Sequence, residues 1–278
     1  MTGELSAKRK NKQRRTADSM TIACRFTECP RLLVSVRSRV EAECAINAGA
    51  EILDVKEPSL GSLGMASIDD ITEIARAVED VSGKIPLSVA LGEISDWCQS
   101  SNFPELPHGI TYAKLGMSGC VTQKNWQAEW MRVRCGFQHR SLSKLRWVAV
   151  AYADVNRARS PGIYDVLAAA ADTDCAGLLI DTFAKDGRRL NDEIDETSLI
   201  EIAEACHKAG LFLALAGRLN YESLPLLVNA NADVLGIRSA ACQDTDRTSK
   251  IDPARIAEFK NEMRRCLQAK RIESDLTV

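Results

Sequence analysis

The sequence predicts a single-domain (β/α)8 barrel of the α/β class, a TIM barrel, from three observations. After residue 30, eight short apolar runs alternate almost strictly with helix-length segments. The runs are rich in Val, Ile and Leu, as parallel strands buried on both faces require, and too short to be helices. Two distant stretches share one helix-to-strand turn, 46–54 reading INAGAEILD and 228–236 reading VNANADVLG. In each, Gly49 or Asn231 suits the left-handed conformation that ends a helix, and a strand follows at once.

The first strand is predicted over Arg31–Val36, with a helix from Ser38 to Ala48 and a second strand over Glu51–Val55. Ser67 is placed to cap a helix running to Val78, ahead of a third strand at Pro86–Leu91. Pro104 and Pro107 break the stretch Ile94–Gly109, which predicts no clear helix. After a fourth strand, Thr111–Leu115, the long segment Ser118–Leu145 carries Trp126 and Trp130 at i, i+4, the stripe of a helix laid on the barrel. Trp147–Ala151 is the fifth strand, Tyr164–Ala171 a helix and Gly177–Asp181 the sixth strand. The helix Thr197–Lys208 passes through Ala209-Gly210 into the seventh strand, Phe212–Ala216. Tyr221–Asn229 and Asp233–Ile237 supply the next helix and the eighth strand, and Pro253, in a first-turn position, opens a closing helix to Leu267.

Composition narrows the class. With 278 residues, 45% hydrophobic and 27% charged, the chain is neither collagen-like, coiled-coil nor wholly disordered, and a net charge of −2 gives no reason to expect nucleic acid. No run of about 20 apolar residues is present to span a membrane. The ten cysteines are scattered without a C-x-x-C pair, and the three histidines lack metal-ligand spacing. That argues against a disulfide framework, a zinc site or a histidine-based nucleophile. Cys44, Cys175 and Cys206 read as core residues, and His207 as a cap on a helix C-terminus.

Lys8, Arg9, Lys10, Lys12, Arg14 and Arg15 crowd the first fifteen residues, and no apolar segment follows them as in a secretory signal. Residues 1–29 are expected to be a solvated, disordered basic extension, with Met20 an alternative start. Residues 30–270 are expected to form the catalytic barrel and 271–278 a tail, in a cytoplasmic protein.

Charged residues then stand where Val or Ile is normal. Asp54 and Lys56 share one face at the end of the second strand, Lys114 ends the fourth, and Asp181 ends the sixth, followed by Lys185. All three are even-numbered strands, whose inward side chains share layers, so these charges are predicted to meet at the C-terminal mouth. One Asp–Lys pair would suit a salt bridge sealing the barrel. Three lysines with two aspartates suit it poorly, because close ammonium groups repel and burial penalises each. The same crowding serves chemistry: bringing a lysine pKa from about 10.4 to about 7 takes roughly 4–5 kcal/mol, part of which neighbouring cations supply. A neutral amine can then form a Schiff base with a carbonyl.

The loops after the last two strands, where this fold often binds phosphate, read Ala216-Gly217-Arg218 and Gly236-Ile237-Arg238-Ser239. Gly217 and Gly236 would let backbone N–H groups approach an anion, Ser239 opens the next turn, and Arg218 and Arg238 would add bidentate contacts. The loop from Glu57 to Gly64 is predicted to close over a substrate, with Gly61 and Gly64 as hinges. Asp154 is expected to orient a lysine or cap the segment after the fifth strand.

The run from Asp54 through Lys56 to Gly64, DVKEPSLGSLG, resembles the signature of the (5-formylfuran-3-yl)methyl phosphate synthase family. The stretches 113–116 (AKLG), 151–154 (AYAD), 181–187 (DTFAKDG), 215–217 (LAG) and 236–242 (GIRSAAC) are similar as well and follow in family order. The resemblance implies a TIM barrel that joins two molecules of glyceraldehyde 3-phosphate into 4-(hydroxymethyl)-2-furancarboxaldehyde phosphate, losing phosphate and water, in methanofuran biosynthesis. It implies that Lys56 is the Schiff-base lysine and Lys114 the proton acceptor, with Asp54, Asp181 and Lys185 the other charged groups. No metal or organic cofactor is implied. The expected partner is a triose phosphate, without nucleic acid or membrane, and self-association into a homo-oligomer is left open. Two rival readings are a class I aldolase acting on another phosphorylated sugar and a catalytically silent scaffold recruiting partners through Lys8–Arg15.

Overall fold

Consecutive Val, Ile and Leu give each strand two apolar faces, and both are covered. In the computed structural model, which describes residues 29–81 and 85–276, eight parallel strands close into a barrel in sequence order. They are β1 (Arg31–Val36), β2 (Ile52–Val55), β3 (Leu87–Glu93), β4 (Ile110–Gly116), β5 (Arg146–Tyr152), β6 (Gly177–Asp181), β7 (Phe212–Leu215) and β8 (Val234–Ile237). β1 pairs with β8 through Leu33↔Gly236 and Val34↔Ile237, so no strand edge is left open. The helices are α1 (Arg39–Asn47), α2 (Ile68–Val81), α3 (Ile94–Trp97), α4 (Trp126–Arg140), α5 (Val155–Ala158), α6 (Ile163–Asp172), α7 (Glu196–Lys208), α8 (Leu224–Asn229) and α9 (Pro253–Leu276). The predicted (β/α)8 class is borne out. Except for Cys29, the basic extension lies outside the described residues.

Local chemistry sets the helix ends. Ser38 Oγ accepts from Glu41 N at 3.3 Å, Ser67 Oγ from Asp70 N at 3.1 Å, and an Asp195 carboxylate oxygen from Ser198 N at 2.8 Å, each meeting an orphan N–H of a first turn. Gly49 (φ 93°) and Asn231 (φ 53°) both take the left-handed conformation their shared turn predicts.

Three elements differ from expectation. The closing helix runs on to Leu276, beyond the predicted Leu267, since nothing between them breaks a helix. The stretch from Ile94 holds one helical turn, α3, and then packs Phe103 against Trp97 and Phe137, with ring centroids 5.6 and 5.1 Å apart. His207 does not cap α7: its Nε2 lies 2.9 Å from Asp233 Oδ2, which also accepts from Leu213 N.

Two apolar cores result. The larger lies between strands and helices and includes Leu32, Val34, Ile71, Ile74, Leu178 and Phe259. The smaller fills the barrel with Ile52, Ala90, Tyr112, Val148, Val150, Tyr152 and Leu179. At its floor the Phe212 ring lies over Gly177, where a Cβ would sit 2.5 Å from ring carbons, and meets Tyr112 edge-on. With that end packed, polar side chains have room only at the mouth formed by the strands' C-terminal ends.

Candidate active site

The period-2 alternation of β2 turns Ile52, Asp54 and, one step past the strand, Lys56 to the same interior. Neighbouring β3 presents small residues there: Ser88 pairs with Asp54 and Ala90 with Lys114. That gap lets Lys114 reach across β3, placing its Nζ 2.6 Å from Asp54 Oδ1. The contact is an ion pair rather than an aligned hydrogen bond, since Oδ1 finds no well-directed donor, while Oδ2 accepts from Ser35 Oγ at 3.3 Å.

Asp181 closes β6. Its Oδ1 accepts from Thr182 N at 2.8 Å and its Oδ2 from Ser62 Oγ at 3.0 Å, and Lys185 Nζ stands 3.5 Å from Oδ1. Burial alone would raise this carboxyl. Lys185, then Lys56 and the two hydrogen bonds outweigh it and hold the group below the usual carboxylate range. Lys185 stands at the rim with its Nζ turned inward to donate to Thr182 O. Burial lowers its pKa against the pull of Asp181. Asp154 organises this loop, accepting from Phe183 N at 2.7 Å and Ala184 N at 2.9 Å, so it acts on the lysine through the backbone that carries it.

Lys56 sits in the middle of these groups. It is 8% exposed and lines the cavity, and among the described residues its amine makes no hydrogen bond or ion pair. Burial pushes its pKa down to about 8. Asp181 and Asp54 oppose that, and Lys185 and Lys114 reinforce it. At neutral pH and slightly above, an appreciable fraction of the amine is therefore uncharged, with its lone pair free to attack a carbonyl.

The cavity, about 390 Å³, is lined by all five predicted charged residues and by the predicted anion residues Gly217, Arg218, Gly236, Arg238 and Ser239. Gly217 needs its lack of a side chain: it has φ 108°, and a Cβ would fall 3.0 Å from the Thr182 methyl. Arg218 reaches the rim exposed. The expected bidentate contact from Arg238 is corrected. Its guanidinium is buried against Glu41, at 2.5 and 3.2 Å, and against backbone carbonyls, so its side chain braces loops. The loop from Glu57 to Gly64 is likewise tied down rather than detached. Ser62 Oγ also donates to Thr182 O at 2.8 Å, and Leu63 O accepts from Gly92 N at 2.9 Å.

The chain matches the model of the family described as 4-HFC-P synthase over residues 32–260. The chain belongs to the 4-HFC-P synthase family. A (5-formylfuran-3-yl)methyl phosphate synthase of Methanopyrus kandleri is 36% identical over 229 residues, covering 78% of this chain and 92% of that protein. One from Methanococcus maripaludis is 33% identical over 221 residues, covering 78% and 92%. These relatives are named as synthases, so the mouth belongs to an enzyme family. Among solved structures, thiamine phosphate pyrophosphorylase from Pyrococcus furiosus superposes with a TM-score of 0.51 at 11% identity, covering 88% of this chain and 98% of that one. Phosphoribosyl anthranilate isomerase from Thermus thermophilus gives 0.50 at 13%, covering 84% and 98%. At such identities these likenesses show the fold alone.

Among the residues of this family member's mouth that escaped the sequence reading are Ser35, Thr182 and Arg247, which line the cavity, and Ser62, which bonds to Asp181. Ser35 carried a signal, a hydroxyl inside the apolar run of β1. Ser62 and Thr182 flank predicted residues, but only their mutual contact shows their use. Arg247 lies in a long connection with no local pattern to mark it.

Proposed function

We propose that this chain condenses two molecules of glyceraldehyde 3-phosphate through a Schiff base on Lys56, as a carbon–oxygen lyase acting on phosphates. The product is 4-(hydroxymethyl)-2-furancarboxaldehyde phosphate, an intermediate toward methanofuran, and one phosphate and two waters leave to balance the atoms. The observation that carries the reading is the Lys56 amine: buried, without a partner among the described residues, its pKa brought down to about 8, and facing the cavity.

One triose phosphate first becomes its ketone isomer by transfer of a carbon-bound proton. Lys56 Nζ attacks that carbonyl carbon, water leaves, and the iminium carbon becomes the electrophile. The Lys114–Asp54 pair removes the carbon-bound proton beside the aldehyde of the second triose, whose phosphate leaves, and the terminal carbon of the resulting enol attacks the iminium carbon. The Lys56 amine is then expelled as a carbon–carbon double bond forms, and the free hydroxyl closes onto the neighbouring ketone with loss of a second water to give the furan. Asp181, held ionised, steadies the iminium cation, and Lys185 beside it protonates departing oxygen. One substrate phosphate lies against the Gly217 and Gly236 backbone, Ser239 and Arg218. The protein works in the cytoplasm without metal or organic cofactor, on a small-molecule substrate.

Borohydride reduction in the presence of glyceraldehyde 3-phosphate, followed by peptide mapping, is expected to find a triose adduct on Lys56 that Lys56→Ala lacks. Turnover is expected to yield a product with furan absorption in the ultraviolet. An adduct confined to Lys114 or Lys185 reassigns the nucleophile, and an aldol product without furan absorption makes the chain an aldolase instead.

A further inference from the structure

Two arginines stand on the connection between β8 and α9, and their donors are used in opposite ways. All five N–H bonds of the Arg238 guanidinium are taken. Nε donates to Arg247 O at 2.8 Å, Nη1 to Ser35 O at 3.0 Å and to Glu41, and Nη2 to Glu41 and to Ser249 O at 2.9 Å. Arg247 uses one: Nη2 donates to Gly61 O at 2.7 Å, and among the described residues its guanidinium meets no other acceptor. It is nevertheless half-buried and lines the cavity. A guanidinium withdrawn from water with most of its fork idle suits a multidentate anion, and phosphate fits that geometry.

Its position is fixed from two sides. Only Arg37 and Ser38 connect β1 to α1, so the longer β8–α9 connection passes over β1 and reaches the loop after β2 at Gly61. Arg238 holds that connection through the carbonyls of Arg247 and Ser249. Ser62, next to Gly61, bonds to Asp181 and Thr182, so Arg247 stands where the loops after β2 and β6 meet. There it lies close enough to Lys185 and Asp181 to perturb Lys185 and be perturbed by Asp181. Asp246, its neighbour, is turned onto its own turn, accepting from the Thr248 N–H and hydroxyl and from Ser249 Oγ. The Gly217, Gly236 and Ser239 group belongs to the ends of β7 and β8, a different part of the mouth.

We propose that Arg247, with Lys185 beside it, binds a second phosphate monoester, the phosphate of the second triose. This rests on the condensation proposed above, in which two phosphorylated trioses are present together and one anion site cannot hold both. The first triose is cradled over β7 and β8 and joined to Lys56. The second is held by Arg247 through the phosphate it loses, its terminal carbon turned to the iminium.

The test uses Arg247→Met and Arg247→Lys in the full chain. Borohydride trapping of dihydroxyacetone phosphate on Lys56 is expected to stay within about twofold of wild type in both. The KM for glyceraldehyde 3-phosphate in furan formation is expected to rise at least tenfold in Arg247→Met and less in Arg247→Lys, which keeps the charge but loses the fork. Titration with inorganic phosphate is expected to find two equivalents bound to wild type and one to Arg247→Met. Unchanged KM, equal loss of the Lys56 adduct, or an unchanged number of bound phosphates in Arg247→Met overturns the assignment. Absence of furan product from wild type overturns the condensation instead, and the phosphate titration still decides the role of Arg247.

Discussion

The barrel buries a cation at each end and treats the two differently. Toward the strands' N-terminal end, Arg134 of α4 is 5% exposed, its guanidinium over Trp130 and Trp147 at 4.5 and 5.2 Å and donating to Thr173 Oγ1 and Thr173 O at 3.0 Å. At the mouth, Lys56 is buried to a similar degree with an open cavity before it, and its amine has no partner among the described residues. Burial lowers the pKa of both, but an arginine starts so high that it stays charged, whereas the lysine comes within reach of neutrality. Enclosure with partners holds a buried cation in place, and enclosure without them leaves a lysine able to give up its proton.

The sharpest way to break this comparison is Lys56→Met. Turnover measured by furan absorption is expected to fall by about 10⁴-fold or more, roughly 5 kcal/mol of transition-state stabilisation, while the urea midpoint holds or rises because an unpaired buried ammonium is gone. A midpoint that drops would place Lys56 with Arg134. Asp181→Asn is expected to cost about a thousandfold in turnover with less than about 1 kcal/mol of stability. It should also move the alkaline-rising limb of the pH–rate profile to lower pH, since Asp181 raises the Lys56 pKa. Arg134→Met should do the reverse, losing about 3 kcal/mol of stability through two charged hydrogen bonds and two ring contacts, with kcat/KM per folded molecule within about twofold of wild type.

The smallest effect is one of pH. Because folding lowers the Lys56 pKa from 10.5 to about 8, the unfolded chain keeps a proton between those values that the folded chain has released. The unfolded state thus binds more protons there, and stability rises with pH across that window. The burial penalty is fully present below about 8 and gone above 10.5. Denaturation of wild type against Lys56→Met should show this contribution, about 3–4 kcal/mol in all, and the difference between Arg134→Met and wild type should show none over the same range.

Much of the site was legible because the strands obey a simple period. An Asp, a Lys or a Ser inside an apolar run is an anomaly visible in one dimension, and period-2 alternation says which face it takes, as for Asp54 and Lys56. Arg238 shows where that reading fails. Its place after β8 suggested an anion ligand, but its donors are consumed by Glu41, Ser35, Arg247 and Ser249, and Glu41 lies nearly two hundred residues away in the chain. Ser62 was likewise part of a visible loop, yet its bond to Asp181 joins residues 119 apart.

The sequence by itself determined the eight alternating units, the closed barrel and the set of charges at its mouth, because those follow from local periodicity and from the geometry parallel strands impose. The tertiary structure alone decided which of those charges are spent and which are available. Whether a buried donor or amine has a partner depends on distances between segments far apart in the chain. A guanidinium saturated at Arg238, one left open at Arg247 and an amine left alone at Lys56 arise only when β1, β2, β6 and β8 bring their loops together.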